Sequence, residues 1–162
     1  MGLAYIGLGS NLGDSRGLLI EAVRGLAALG PIRVSRLYAS APMGPQDQPD
    51  YLNAAVELQT AADPLELLDQ LQALEQTAGR VRGRHWGERT LDLDLLLLDD
   101  AQIQTDRLTL PHAGILQRAF VIQPLLDLNP DFMVAGQRLS ALALAHNAVG
   151  IRAVAANNWV DV

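Results

Sequence analysis

The sequence contains neither cysteine nor lysine. The lack of cysteine excludes disulfides, zinc–thiolate sites and catalysis by a thiolate. The lack of lysine excludes the lysine of a phosphate-binding loop, Schiff-base chemistry and a Ser–Lys nucleophile. All 12 basic residues are therefore arginines, so a guanidinium must supply any permanent positive side-chain charge that binds an anion.

The sequence also lacks the signals of a membrane or secreted protein. No apolar stretch approaches the roughly 20 residues that a membrane-spanning helix needs, and the segment Met1–Ile6 has no basic region like that of a signal peptide. The net charge of −6 argues against nucleic-acid binding. We therefore expect a cytoplasmic protein that binds neither membrane nor nucleic acid. Its 162 residues, 49% of them hydrophobic, predict one domain spanning residues 1–162.

The most informative stretch is residues 80–98. Four arginines fall within ten residues, from Arg80 to Arg89, and two glycines interrupt them, so this part predicts a mobile, strongly cationic loop. From Thr90 the sequence predicts a strand, in which alternate side chains face opposite ways. Asp92 and Asp94 then share one face, and the leucines at 91, 93, 95 and 97 share the other. Because positions 96 and 98 are also leucines, both faces of the strand are apolar beyond Asp94. We therefore expect an interior strand with the two aspartates near its first residues, at the rim of the core.

The paired aspartates and the nearby arginines indicate a particular chemistry. Two carboxylates on one strand face, about 6.5–7 Å apart at their Cβ atoms, repel each other and favour a bound cation. Oxygen ligands suit Mg²⁺, which takes one or two carboxylates plus substrate phosphates, and such a pair can hold two ions. Guanidinium groups bind phosphate oxygens, so this stretch predicts a phosphoryl-transfer site. The alternative is that both sets of side chains are solvated surface groups.

The remaining patterns predict further elements. The strands are expected at 3–9, 32–39 and 51–59, with a short hairpin strand at 101–106. One helix is expected over 15–29 with Asp14 as its N-cap, and another from Asp63 to Ala78, closed by Gly79. A further helix begins at Arg118 and is kinked or interrupted by Pro124, and a last helix covers 138–147. The order strand–helix–strand–strand–helix–strand over residues 3–98 predicts an α+β fold. Its core is a ferredoxin-like βαββαβ unit with a mostly antiparallel sheet, extended by C-terminal helices and a hairpin.

Three smaller features bear on ligand binding. The turn Gly7–Asp14 is glycine-rich but lacks the spacing and the acidic partner of a dinucleotide fingerprint, so we interpret it as a turn beside a site. Tyr51 and Asn53 share one strand face, where a ring and an amide can stack on and hydrogen-bond a flat heterocycle. The alternative is an ordinary half-buried tyrosine and an asparagine near a turn. Gln72 and Glu75 are three residues apart and therefore neighbours on one helix face.

Two long segments, Gly44–Val56 and His85–Leu96, closely resemble the 6-hydroxymethyl-7,8-dihydropterin pyrophosphokinases of folate biosynthesis. Shorter segments resemble the same family, and the resemblance extends to about residue 130; these are Met1–Asn11, Gly79–Arg82, Leu108–His112 and Arg118–Leu125. The resemblance implies that the chain moves the terminal diphosphate of ATP onto the hydroxymethyl group of a dihydropterin and releases AMP.

The resemblance also assigns residues to roles. It gives catalysis to Arg80, Arg89, Asp92 and Asp94, with two Mg²⁺ ions held by the two aspartates. The substrate-binding set is Met43, Tyr51, Asn53, Trp86 and Phe120, in which the rings of Tyr51 and Phe120 enclose the pterin. The co-substrate ATP is bound by Gln72, Glu75, Arg82, Arg107, Thr109, His112 and Arg118. Beyond ATP and the dihydropterin the resemblance implies no partner, and we expect a monomer.

Two other functions stay open at this stage. One is a metal-dependent phosphotransferase with a different acceptor, but Tyr51, Asn53 and Phe120 favour a flat heterocyclic one. The other is a binding protein for phosphorylated ligands, but a pure anion binder gains nothing from paired carboxylates.

The chain departs from the family pattern in a shorter loop between Arg82 and Trp86.

Overall fold

The computed structural model describes residues 2–11, 14–40, 50–82, 91–142, 151–156 and 158–160, with only the backbone for residues 79–82. The strands are β1 (Gly2–Ser10), β2 (Ile32–Val34), β3 (Leu37–Ser40), β4 (Tyr51–Thr60), β5 (Asp92–Leu98), β6 (Ile103–Gln104), β7 (Thr109–Leu110), β8 (Met133–Val134), β9 (Gln137–Arg138) and β10 (Ile151–Ala155). The α-helices are α1 (Ser15–Ala27), α2 (Pro64–Arg82) and α3 (Ala119–Leu128), and short 3₁₀ helices cover Ile115–Gln117 and Leu139–Ala141.

Six of these strands form one antiparallel sheet in the order β10–β3–β4–β1–β5, with β2 paired to the second half of β4. Helix α1 follows β1 and helix α2 follows β4, which is the βαββαβ order when β2 and β3 are counted as two parts of one strand. The predicted α+β, ferredoxin-like arrangement with a mostly antiparallel sheet is therefore confirmed, and the pair β6–β7 provides the predicted hairpin.

Both faces of the sheet are covered. Helices α1 and α2 pack on one face, where buried side chains such as Leu19, Leu71 and Val56 form the larger core. Helix α3 packs on the other face, where Ile122 and Leu125 contact the second core. Within the described ranges, no helix combines the length and the apolar character that crossing a membrane requires.

The helix starts follow the sequence, but the helix ends do not. The carboxylate of Asp14 accepts a hydrogen bond from the backbone amide of Gly17, and that of Asp63 accepts one from Glu66, so both predicted caps are confirmed. Helix α1 ends at Ala27, two residues early. Helix α2 continues to Arg82, so the predicted stop at residue 79 is wrong, because a glycine weakens a helix by only about 1 kcal/mol.

The predicted strand over residues 32–39 is interrupted at Ser35. Its hydroxyl oxygen accepts a hydrogen bond from the amide of Ala55 at 2.8 Å and donates to the carbonyl of Arg36 at 2.7 Å. The Ser35 hydroxyl thus accepts a bond that a backbone carbonyl would accept in a continuous strand, and the strand is divided into β2 and β3. The indole of Trp159 is buried and donates to the carbonyl of Ser35 at 2.9 Å, which confirms its predicted packing role.

Strand β5 differs from its prediction in two ways. It is an edge strand of the sheet rather than an interior one. Its pairing with β1 also shifts, since Tyr5 pairs with Leu97 and Ile6 with Leu95, which leaves Leu96 as an extra residue. This bulge puts Leu96 and Leu97 on the α3 side, so the strict alternation predicted beyond residue 95 is wrong.

The C-terminal third also departs from the predicted elements. Helix α3 begins at Ala119 and continues through Pro124 to Leu128 without interruption. The predicted last helix over residues 138–147 is wrong at its start, where Arg138 ends a strand and Leu139–Ala141 forms a single 3₁₀ turn. Residues 143–150 lie outside the described part of the chain.

Candidate active site

A row of residues crosses three strands on the α3 side of the sheet. Asp92 in β5 lies directly opposite Gly9 in β1, and Gly9 lies opposite Asn53 in β4. One step along the strands, Asp94 lies opposite Gly7. Residues directly opposite in a sheet share a face, and two strand spacings amount to about 9.5 Å. Because glycine has no side chain, the row leaves an open floor between an amide and a pair of carboxylates.

The amide of Asn53 is buried and held in one orientation. Its Nδ2 donates to the hydroxyl of Ser40 at 2.8 Å, and a Cβ atom placed on Gly9 would lie 3.4 Å from its Oδ1. The Oδ1 atom therefore borders the open floor and can accept a hydrogen bond from a ligand. No local pattern in the sequence indicated Ser40, because only the pairing of β3 with β4 brings it beside Asn53.

The two aromatic residues predicted to stack on the substrate lie on the same side of the sheet. Tyr51 begins β4 two residues before Asn53 and is half-buried. Phe120 lies in the first turn of α3, which packs against β4. The guanidinium carbon of Arg118 lies 5.8 Å from the centre of the Phe120 ring, within cation–π range.

The outer edge of β5 gathers several residues predicted to bind ATP. Glu75 Oε2 accepts a hydrogen bond of 2.8 Å from the backbone amide of Leu93, which lies between the two aspartates. One turn earlier, Gln72 Oε1 accepts from Nη2 of Arg107 at 3.2 Å. The same Nη2 donates to Asp69 Oδ1 at 2.7 Å, a contact that the sequence pattern did not indicate.

The segment after the β6–β7 hairpin borders the same edge. Thr109 is exposed on β7, which lies against β5. The backbone amide of His112 donates to the carbonyl of Leu96 at 2.9 Å. Its Nδ1 accepts from the amide of Gly114 at 3.0 Å, which leaves Nε2 as the ring nitrogen able to donate. Bonds from Glu75 and His112 thus replace the missing strand neighbour of β5.

The structure does not test the cationic part of the predicted site. Met43, Trp86 and Arg89 lie outside the described residues. The backbones of Arg80 and Arg82 belong to α2 rather than to a loop, but their side chains are not described. The predicted cationic loop therefore begins no earlier than residue 83.

The donor set at β5 fits Mg²⁺. Asp92 and Asp94 are both half-buried and offer only oxygen ligands. Across the described ranges, no three His, Cys, Asp or Glu side chains cluster in a way that could hold a metal ion. Two carboxylates suit an ion that takes its other ligands from water and substrate phosphates, as Mg²⁺ commonly does.

Other polar features lie away from this edge. Burial and a hydrogen bond to Glu57 raise the pKa of Tyr5, and burial and a hydrogen bond to Asp127 raise the pKa of Tyr38. A cavity of about 530 Å³ lies between β2, the end of α3 and the C-terminal segment, and Arg33, Arg36 and Asp127 line part of it. It is remote from the carboxylate pair, so we do not assign it to the active site.

The sequence is similar to those of known proteins. The sequence model of the 7,8-dihydro-6-hydroxymethylpterin-pyrophosphokinase family matches residues 5–130. Two relatives are named 2-amino-4-hydroxy-6-hydroxymethyldihydropteridine pyrophosphokinase. The one from Haemophilus influenzae is 46% identical over 139 residues, covering 84% of this chain and 87% of the relative. The one from Pseudomonas aeruginosa is 44% identical over 145 residues, covering 87% and 90%.

A solved structure supports the fold. The HPPK-DHPS protein of Plasmodium falciparum, crystallised as the wild type with pteroate, superposes with a TM-score of 0.70 at 14% sequence identity. The match covers 91% of this chain but only 44% of that longer protein. At this identity the likeness concerns the fold alone.

Proposed function

Because the chain belongs to the 7,8-dihydro-6-hydroxymethylpterin-pyrophosphokinase family, we propose that it transfers the terminal diphosphate of ATP to 6-hydroxymethyl-7,8-dihydropterin. The acceptor is the hydroxymethyl group, and AMP is released. The protein is a transferase that catalyses the pyrophosphokinase step of folate biosynthesis.

One observation carries the residue-level proposal. The buried amide of Asn53 and the carboxylate of Asp92 lie at the two ends of one row whose centre is Gly9. A flat acceptor held by the amide would extend over the bare glycine toward the carboxylates. That arrangement places the end of the acceptor beside the groups proposed to bind the cations and the phosphates.

The pterin half of the site is built from β4 and α3. Asn53 Oδ1 accepts a hydrogen bond from an N–H group on the pterin edge, because Ser40 fixes the opposite end of the amide. Tyr51 and Phe120 supply the two ring faces between which the pterin stacks. Met43 and Trp86 complete this half according to the family resemblance.

The transfer half is built around β5. Asp92 and Asp94 would hold Mg²⁺, two ions according to the family resemblance, and the guanidinium groups of Arg80 and Arg89 would bind phosphate oxygens during transfer. When bound, Mg²⁺ neutralises phosphate charge and makes a coordinated hydroxyl more acidic. The hydroxymethyl oxygen attacks the β-phosphorus and releases its proton to solvent water. The bond from that phosphorus to the oxygen bridging the α-phosphate breaks, so AMP leaves with the electron pair.

The nucleotide half lies along the outer edge of β5. The hydrogen bonds of Glu75 to Leu93 and of Arg107 to Gln72 hold α2 and the hairpin beside this edge. The proposed ATP contacts come from Gln72, Glu75, Arg82, Arg107, Thr109, His112 and Arg118. Hydrogen-bond donors along this edge suit an anionic nucleotide.

A product assay tests the reaction. The protein is incubated with ATP, MgCl₂ and 6-hydroxymethyl-7,8-dihydropterin, and the nucleotides are separated. We expect AMP in equal amount to the diphosphorylated pterin. ADP would indicate an ordinary kinase, and the absence of both would indicate a binding protein; either result would overturn the proposal. Excess EDTA should abolish AMP formation, and persistent activity would exclude the metal role of the aspartates.

We also propose that residues 1–162 act as one pyrophosphokinase domain and as a cytoplasmic monomer. The family match to residues 5–130 and the cores on both faces of one sheet support a single domain. Light scattering coupled to size-exclusion chromatography tests the monomer, because a dimer would double the mass of 17.4 kDa.

A further inference from the structure

A single carboxylate ties the end of α3 to β3. Asp127 accepts hydrogen bonds from the backbone amide of Arg36 at 3.1 Å, from its Nε at 3.2 Å and from its Nη2 at 3.0 Å. It also accepts one from the hydroxyl of Tyr38 at 2.7 Å. We refer to Arg36, Tyr38 and Asp127 as the α3 clamp.

The clamp is shielded from solvent on one side only, because the Arg36 side chain is 48% exposed. The Tyr38 side chain is almost fully buried, and the Asp127 side chain is 16% exposed. Burial is the main cause of the raised pKa of Tyr38, followed by its bond to Asp127. Charge-assisted hydrogen bonds in such surroundings are strong and directional.

Asp127 and the proposed stacking residue lie on one face of α3. Phe120 and Asp127 are seven residues apart, which corresponds to two turns and about 10.5 Å along the axis. At the other side of the clamp, Tyr38 pairs directly with Asn53 in the sheet. The clamp therefore connects the helix that carries Phe120 to the strand next to Asn53.

Apolar packing and one further hydrogen bond, from Arg33 Nη2 to the carbonyl of Leu128 at 2.8 Å, also hold α3. The apolar contacts of Ile122 and Leu125 with the second core are non-directional, so they specify the position of α3 along the sheet less sharply than hydrogen bonds do. Four hydrogen bonds to one carboxylate specify one position. A small displacement of a stacking group can lower binding or catalysis substantially.

We propose that Asp127 is a positioning residue for the pterin site, which it serves by fixing the height of the Phe120 ring above the sheet. The inference rests on the proposed function, because it requires that Phe120 stacks on the pterin. Asp127 itself touches no substrate.

A double-mutant cycle in the full chain tests this inference. Asp127→Asn keeps the shape of the side chain but removes the charge that holds Arg36. Calorimetry measures the affinity for 6-hydroxymethylpterin in the presence of a non-hydrolysable ATP analogue. We expect about threefold to tenfold weaker pterin binding, with ATP-analogue affinity changed less than about twofold. In a Phe120→Ala background, the same substitution should have almost no further effect.

Three outcomes are distinguishable. Pterin binding that is unchanged by Asp127→Asn, or losses that add in the double variant, would overturn the positioning role and leave the proposed function intact. If Phe120→Ala alone leaves pterin affinity unchanged, the stacking assignment is wrong and both proposals about α3 are overturned. A non-additive loss specific to the pterin supports the inference.

Two further variants control for folding. Asp131→Asn makes the same chemical change in an exposed carboxylate that pairs with Arg138 at 3.3 Å, and it should leave pterin affinity unchanged. Tyr38→Phe removes only the hydroxyl from the clamp, so it should weaken pterin binding in the same direction with a smaller fold-change. A loss in Asp131→Asn equal to that in Asp127→Asn would overturn the inference.

Discussion

Glu75 Oε2 accepts a hydrogen bond of 2.8 Å from the backbone amide of Leu93, a bond that joins α2 to the exposed edge of β5. Leu93 is flanked by Asp92 and Asp94, so this one contact holds the strand segment that carries both carboxylates. In the resemblance to the family, residue 75 is an ATP-site position. The structure adds a contact that supports the strand carrying the two aspartates.

This contact leads to a prediction about two substitutions of one residue. Glu75→Ala leaves the Leu93 amide without this acceptor and should lower the free energy of unfolding by about 1–3 kcal/mol. Glu75→Gln keeps an oxygen at the same place and should lose less than half as much. Urea unfolding of both variants measures the difference. Equal stability of the two variants would show that the hydrogen bond contributes nothing.

The carboxylate pair gives the second prediction. Asp94→Asn should lower kcat on the order of 100- to 1000-fold or more, because it removes charge stabilisation at the transferring phosphate. The half-buried side chain should be dispensable for folding, as circular dichroism would show. Asp99→Asn is a matched control, since Asp99 lies just beyond the far end of β5 and accepts a bond from the amide of Leu3. A folded Asp94→Asn protein with normal turnover would remove Asp94 from the mechanism.

The open floor of the site gives the third prediction. Gly9→Val places side-chain atoms between Asn53 and Asp92, where a Cβ atom is already 3.4 Å from Asn53 Oδ1. We expect pterin affinity to fall on the order of tenfold or more. The free energy of unfolding should change little, because a β-branched residue suits a strand. Calorimetry with the pterin, and urea unfolding of the same samples, provide the test. Unchanged pterin affinity would place the pterin elsewhere.

The fourth prediction concerns the free energy of unfolding at alkaline pH. Burial and the 2.6 Å bond to Glu57 raise the pKa of Tyr5 above that of an unfolded tyrosine, about 10. Above that pH the unfolded chain loses the tyrosine proton while the native protein keeps it, so stability falls as pH rises. The stabilising contribution of the protonated Tyr5 is present in full below about pH 10 and is lost as the pH rises through the pKa of Tyr5 in the folded protein.

Unfolding by urea between pH 8 and 11 measures this effect. Tyr5→Phe should be less stable than the parent at pH 8, because Glu57 loses a donor, but its stability should decline less steeply above pH 10. Parallel curves for the two proteins would show that Tyr5 does not titrate differently in the folded and unfolded states.

Local patterns in the sequence predicted the elements and the faces of their side chains. The alternation at residues 91–94 placed both aspartates on one face, and Asp14 and Asp63 marked the starts of the two long helices. These signals work because a cap or a strand face depends on residues only a few positions apart. The same locality explains the error at Ser35, where contacts with Ala55 and Trp159 interrupt the strand.

The sequence by itself determined the α+β order, the caps and the chemical character of the site, and the family resemblance supplied the expected roles. Only the tertiary structure decided that β5 is an edge strand, that Gly9 separates Asp92 from Asn53, and that Glu75 bonds to β5 and Asp127 to β3. The physical reason is that strand order and side-chain pairing depend on which distant segments pack together. No periodicity within a single segment encodes that choice.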